Sequence, residues 1–211
     1  MQIDHAIIAS KDLDTTAQNL RNKFGLVALP GGTHPTGTAN RVIPLKPPQY
    51  IELLGIGQQE LLRSHQFGDR LLHALQQGDS LFGWAVTPDD ILAESARLER
   101  PLVPGRWEGK DGEVGHWHNI FPDIEDFERL PFFIKYASAD SARQQAAYTE
   151  ANSPAQPGAI SWLEVGDDGD GLTAWLGPNS LPLRFNTDPP GFYALAIESS
   201  SGEIVIRNED L

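Results

Sequence analysis

The sequence predicts an α+β protein built from repeated βαβββ units, and three observations carry that expectation. The order strand, helix, strand, strand, strand reads twice in full, from Ile3 and from Leu81, and once more in shortened form from Ala159. The matched first-strand positions His5, Gly83 and Ser161 are evenly spaced, 78 residues apart from 5 to 83 and again from 83 to 161, as an internal repeat requires. Finally, 211 residues with 40% hydrophobic and 21% charged content can fill a packed core, and the charge density is too low for a disordered chain.

In the first unit Ile3–Ala9 is short, β-branched and apolar, hence a strand. Asp12 is a helix N-cap ahead of Leu13, Ala17, Leu20 and Phe24 at helical spacing, and Gly25 closes the helix. Strands are expected at Leu26–Leu29, Thr38–Leu45 and Tyr50–Ile56, separated by Pro30-Gly31-Gly32 and Lys46-Pro47-Pro48. The second unit runs through a strand at Leu81–Val86 and a helix with Pro88 in its first turn and Ile91, Leu92, Ala96 and Leu98 on one side. A strand starting at Arg106-Trp107-Glu108, a hairpin signal at Lys110-Asp111-Gly112, and strands at Val114–Phe121 and Leu130–Tyr136 follow. The third unit has strands at Ala159–Val165, Leu183–Asn186, Phe192–Glu198 and Glu203–Arg207, with a short helix at Leu172–Leu176. These elements divide the chain into a first module (1–57), a helical linker (58–79), a second module (80–137), a connector that is helical or mobile (138–157) and a truncated third module (158–211).

Composition excludes several functions. Formal net charge is −13, which leaves no basic surplus for nucleic acid or anionic membranes. There is no cysteine, so disulfides, thiolate catalysis, zinc fingers and iron–sulfur clusters are out. No stretch reaches the roughly 18 apolar residues of a spanning helix, and the N-terminus has no signal-peptide pattern; a cytoplasmic location is the expectation. P-loop, nucleophile-elbow, zinc-protease and dinucleotide motifs are missing. Asp167-Asp168-Gly169-Asp170-Gly171 lacks the twelfth-position Glu of a calcium loop and reads as an acidic turn.

Strand alternation assigns faces. Ile3, His5 and Ile7 share one side of the first strand; Ala6 and Ile8 take the other. Tyr50, Glu52 and Leu54 share one side of the fourth, Ile51 and Leu53 the other. The helix packs on Ala6, Ile8, Ile51 and Leu53, so His5, Tyr50 and Glu52 share the concave face, an arrangement suited to a ligand site.

With these residues in hand the chain resembles the glyoxalase-like domain proteins of the vicinal oxygen chelate superfamily. The resemblance rests on Ile3-Asp4-His5, Asp12-Leu13, Gly31-Gly32-Thr33-His34-Pro35, Gly37-Thr38-Ala39-Asn40 and Tyr50-Ile51-Glu52-Leu53, then Gly83-Trp84-Ala85-Val86 and Leu130-Pro131-Phe132-Phe133-Ile134. It implies modules paired as curved mixed sheets into an open, barrel-like cup, often with a divalent metal on the inner wall. His5 and Glu52 sit where that superfamily places first- and fourth-strand ligands. Gly83, and Ile134 or Lys135, stand where the other half of the shell is expected. Members include lyases, isomerases, dioxygenases and metal-free sequestering proteins, so the fold leaves the reaction open.

His5 and Glu52 are the candidate catalytic pair and candidate ligands for Zn, Fe, Mn or Ni; direct acid–base work without a metal, or a structural hydrogen bond, suits them equally. His116 and His118, two apart on a strand, could complete the shell or simply face solvent. Substrate-binding candidates are His34 and Thr38 in the glycine-rich loop, Asn40 on the next strand, Tyr50, and Trp84 among the aromatics Trp107, Trp117, Phe132 and Tyr136, each with an alternative as loop anchor or plain core. The expected function is a glyoxalase-like small-molecule enzyme acting on adjacent oxygens; the alternative is a metal-free binding protein. A homodimer completing a sheet across a two-fold axis is a further expectation.

Overall fold

The structure is a computed structural model. It describes residues 1–106, the backbone of Trp107 and Glu108, and residues 114–137, 141–166 and 170–211. The hairpin signal at 110–112 and most of the acidic turn at 167–171 lie outside the described residues.

The elements in chain order are β1 (Gln2–Ala9), α1 (Leu13–Phe24), β2 (Leu29–Thr33), β3 (Thr38–Pro44), β4 (Tyr50–Ile56), α2 (Gln59–Leu62), α3 (Gln66–Gln77), β5 (Ser80–Thr87), α4 (Ile91–Leu98), β6 (Val103–Glu108), β7 (Val114–Ile120), β8 (Phe132–Tyr136), α5 (Ser141–Ala151), β9 (Ile160–Gly166), α6 (Gly171–Leu176), β10 (Leu183–Asn186), β11 (Gly191–Ser199) and β12 (Gly202–Arg207). The first strands of the first two units are offset as the sequence predicts. Asp12 caps α1 by accepting from the Asp14 and Thr15 N–H groups, and Gly25, at φ 68°, ends it. Asp90 rather than Pro88 starts α4, its carboxylate accepting from the Leu92 and Ala93 N–H groups. The second strand starts later than its apolar residues indicate, at Leu29, because its pairing with β3 begins there.

Eight strands form one strongly curved mixed sheet in the order β2-β3-β4-β1-β5-β8-β7-β6. Within each module the first and last strands pair in parallel, β1 with β4 and β5 with β8, and the antiparallel pair β1–β5 joins the modules. The edge strands β2 and β6 approach each other, so the sheet nearly closes on itself. The third unit keeps the βαβββ order of elements but forms its own sheet, β10-β9-β11-β12, in which β9 sits between its partners.

The convex face of the large sheet packs into one core. Ala6, Ile8, Ile43, Ile51 and Leu53 meet Leu20 of α1, while Trp84, Val86 and Phe133 meet the second sheet and α6. The indole N–H of Trp175 donates to the Pro131 carbonyl at 2.6 Å, and the Arg97 guanidinium caps the carbonyls of Ala174 and Trp175. Gln49 bridges the sheets, donating to the Ile3 carbonyl and accepting from the Ile160 N–H. On the concave face α3 fills one end. Leu71 and Leu75 pack on Ile7, Ala9, Leu54, Phe82 and Ala85. This plug covers the C-terminal ends of β1 and β4 and leaves their N-terminal halves, with His5, Tyr50 and Glu52, facing the cup.

One face assignment changes. Between Ile3 and His5 the register of β1 against β5 slips by one residue, a β-bulge at Asp4. Ile3 therefore joins Ala6 and Ile8 in the convex core, and Asp4 and His5 point together into the cup.

Candidate active site

The bulge places two titratable side chains side by side. His5 Nδ1 lies 2.7 Å from Asp4 Oδ1, so the ring directs this nitrogen's hydrogen at the carboxylate and its Nε2 toward Glu52. Asp4 is buried and fully engaged: Thr87 donates to Oδ2 at 2.7 Å, and Tyr136 reaches Oδ1 at 3.4 Å. Tyr136 in turn lies 3.0 Å from the Tyr50 hydroxyl. The result is a relay of Tyr50, Tyr136, Asp4 and His5 that spans both modules. The imidazole is clamped, stacked on Tyr50 at 4.4 Å between centroids and touched edge-on by Phe132 at 5.5 Å.

Parallel pairing of β1 and β4 brings Glu52, which pairs with Ile7 two residues beyond His5 and so shares its face, beside this imidazole. Glu52 Oε2 is 3.9 Å from His5 Nε2, beyond hydrogen-bond length. Its other oxygen accepts from Asn40 Nδ2 at 2.6 Å and lies 3.9 Å from His34 Nε2. His34 is itself held by Thr38, Nδ1 to Oγ1 at 2.7 Å. The Glu52 side chain is 12% exposed: accessible to a ligand yet shielded from bulk water. His5, Glu52, Asn40, His34, Thr38 and Tyr50 thus form one continuous cluster.

Gly31 makes the cluster possible. Its backbone passes so close to Asn40 that a Cβ there would stand 2.0 Å from Asn40 Oδ1, the atom that accepts from the Gly32 N–H. Gly31→Ala is expected to displace Asn40 from Glu52 and to cost about 1–3 kcal/mol by overpacking. Urea unfolding measures the cost, and an unchanged midpoint would show that Asn40 is not pinned from this side.

Three sequence candidates belong elsewhere. Trp84 pairs with Ala6, whereas His5 pairs with Ala85, so its indole lies on the convex side, 1% exposed and within the large core. His116 and His118 share a face, as alternation requires, but it is the outward one and both are exposed. Between them Trp117 turns inward against Tyr136. They cannot meet His5 and Glu52. Sequence reasoning assigned no role to Asp4, to Thr87 or to the Tyr136 hydroxyl. Asp4 had no detectable signal, because only a bulge turns the residue before His5 to the same side.

Both phenols are held in the neutral form. Burial pushes the Tyr50 hydroxyl well above its ordinary value, with the neighbouring Tyr136, Asp4 and Glu52 adding to the effect. Burial and Asp4 do the same for Tyr136. The unfolded chain releases these protons near pH 10 and the folded one holds them to higher pH, so folding stability is intact below pH 10 and falls as pH rises above it. Absorbance titration at 295 nm should show two of the four tyrosines ionising late, together with unfolding. Ionisation of all four at the ordinary phenol pH in folded protein would contradict this.

A metal of the kind common in such cups does not fit the donors present. His5 Nε2 and Glu52 Oε2 could supply two ligands, but Glu52 Oε1 is taken by Asn40, and the facing positions carry Gly83 and Ile134. Among the described residues no three His, Cys, Asp or Glu side chains gather to hold a metal ion.

Two βαβββ modules thus curl into one cup, with His5 and Glu52 from neighbouring parallel strands on its inner wall. The chain belongs to the glyoxalase-like domain family: the family profile matches residues 3–178. No curated protein matches the chain significantly. Among solved structures, a hypothetical protein from Staphylococcus aureus is similar over 98% of this chain and 84% of that one, with TM-score 0.67 and 17% identity, which establishes a shared fold. Methylmalonyl-CoA epimerases from Mycobacterium tuberculosis (15% identity, 67% of this chain, 90% of that, TM-score 0.46) and Streptomyces coelicolor (18%, 66%, 95%, 0.47) are more distantly similar. No helix among the described residues is long and apolar enough to cross a membrane.

Proposed function

We propose that the cup is the active site of a proton-transfer enzyme, of the lyase or isomerase type, acting on a small molecule with adjacent oxygens. The observation that carries the reading is the juxtaposition of His5 Nε2 and Glu52 Oε2, 3.9 Å apart and not hydrogen-bonded to each other, two groups able to exchange protons with one ligand on the cup wall. Glu52 removes the proton from a carbon next to a carbonyl. His5, its Nδ1 hydrogen directed at Asp4, takes the proton of the neighbouring hydroxyl on its bare Nε2 and passes it to the carbonyl oxygen as the enediol forms. The same proton returned to either carbon or either face gives isomerisation or epimerisation. The neutral phenol of Tyr136, itself hydrogen-bonded to Tyr50, adds a hydrogen bond to Asp4.

The test uses an uncharged α-hydroxy ketone, 2-hydroxyacetophenone, in D2O with protein freed of metal by chelation. Proton NMR should show enzyme-dependent loss of the α-carbon hydrogens as deuterium replaces them. A second reading, a binding protein without catalysis, is favoured by the full engagement of Glu52 Oε1 by Asn40 and by the aromatic wall of Phe132, Trp117 and Tyr136. Saturable binding with exchange no faster than in buffer would favour that reading and remove the first.

A further inference from the structure

The wall of the second module holds a polar group that nothing in the fold uses. Asn119 on β7 is 5% exposed, and its carboxamide oxygen is buried without a hydrogen-bond partner. It pairs across the sheet with Ile134 and, on the other side, with Val103, and it shares its face with Trp117, whose ring meets Tyr136. Its side chain therefore stands on the concave face, within the same wall as the phenol that hydrogen-bonds Asp4. A buried acceptor left unpaired costs stability, and such a cost persists where a ligand repays it.

The charge of the wall narrows the ligand. Asp4 and Glu52 are its carboxylates. The strand cations Arg41, Arg106 and Lys135 occupy register positions opposite Leu53, His116 and His118, all directed outward. Among the described strand residues, none that faces the cup offers a positive charge to an anionic ligand beside Glu52.

From these two observations we infer that Asn119 is the specificity-determining residue of the cup, accepting a hydrogen bond from a hydroxyl or amide N–H of an uncharged substrate. Glu52 and His5 work on the carbonyl and its α-carbon from the first module's wall, and Asn119 reads the hydroxyl carried on that carbon from the second module's wall. The inference rests on the cup being the substrate site, as proposed above.

Calorimetric titration of the full chain with three probes tests it: 2-hydroxyacetophenone, 2-methoxyacetophenone, in which the donor is blocked, and mandelate, which is anionic. The wild type should bind the hydroxyl compound about ten-fold more tightly than the methoxy compound, the size of one net neutral hydrogen bond, and mandelate more weakly still. Asn119→Leu, similar in shape and lacking the orphan oxygen, should bind both ketones equally and melt about 2–4 °C higher, since the unpaired acceptor is gone. A hydroxyl preference that survives in Asn119→Leu, a variant that melts lower, mandelate binding as tightly as the hydroxyl probe, or no binding of any probe at millimolar concentration would each overturn it. Glu52→Gln separates the two ideas. A retained hydroxyl preference, with no exchange in the wild type, removes the proton-transfer reading and leaves Asn119 its role. Exchange without a hydroxyl preference removes only the role of Asn119.

Discussion

Glu52→Gln is expected to slow enzyme-dependent α-proton exchange by about 10²–10⁴-fold, the range supplied by a positioned general base, while leaving the protein folded. The substitution keeps the shape of the side chain, and its amide oxygen can still accept from Asn40 as Glu52 Oε1 does at 2.6 Å. What it loses is the second carboxylate oxygen, the one facing His5 Nε2. A fall in rate with an unchanged urea midpoint therefore isolates the chemistry from the scaffold. Asp4→Asn provides the graded comparison. Asp4 touches the imidazole, Thr87 and Tyr136 and faces the reaction only through His5, so it is a positioning residue. Its loss should lower the rate by less and shift the pH profile of exchange, because the imidazole loses the carboxylate that fixes its hydrogen on Nδ1. Undiminished exchange in Glu52→Gln would transfer the base to another group and end the proposed assignment.

The pairing of His5 with Glu52 was legible because it needs only two facts, strand period and which face the helix takes. The apolar set Ala6, Ile8, Ile51 and Leu53 settles the second, and their burial beneath α1 follows. Asn40, His34 and Thr38 followed because a loop rich in glycine and the strand after it must lie at the edge next to β4. What alternation cannot supply is a break in its own rule. The bulge at Asp4 reverses the face of Ile3 and supplies the relay's central carboxylate, yet Ile3-Asp4-His5 contains no glycine or proline to announce it. Parity also fails where both faces are polar or aromatic. In Val114–Ile120 the sequence fixes that His116 and His118 go one way and Trp117 the other, but not which way is inward. The answer lies on the adjacent strand. Gly105 opposite Trp117 leaves a slot that a Cβ would close at 2.0 Å from the indole nitrogen, so the large ring turns in and the imidazoles face solvent. The sheet order of the third unit was equally hidden, since the same sequence of elements permits β9 at the edge or in the middle.

Trp84→Ala should be the most destabilising single change in the chain, costing about 3–5 kcal/mol as expected for truncating a buried Trp. Trp84 is among the largest fully buried side chains, and it belongs to the core that fastens the second sheet to the barrel. At about 2–4 °C per kcal/mol for a chain of this size, the melting temperature should drop by roughly 6–20 °C. The informative part is what remains. Because Trp84 pairs with Ala6 on the convex side while His5 pairs with Ala85 on the concave side, the polar cluster is separated from the new cavity by the thickness of the sheet. Below its lowered melting point, Trp84→Ala should bind 2-hydroxyacetophenone with close to wild-type affinity per folded molecule. Lost affinity in a variant still shown folded by its circular dichroism would mean that the ring supports the pocket through β5, and that the two faces of this sheet are mechanically coupled rather than independent.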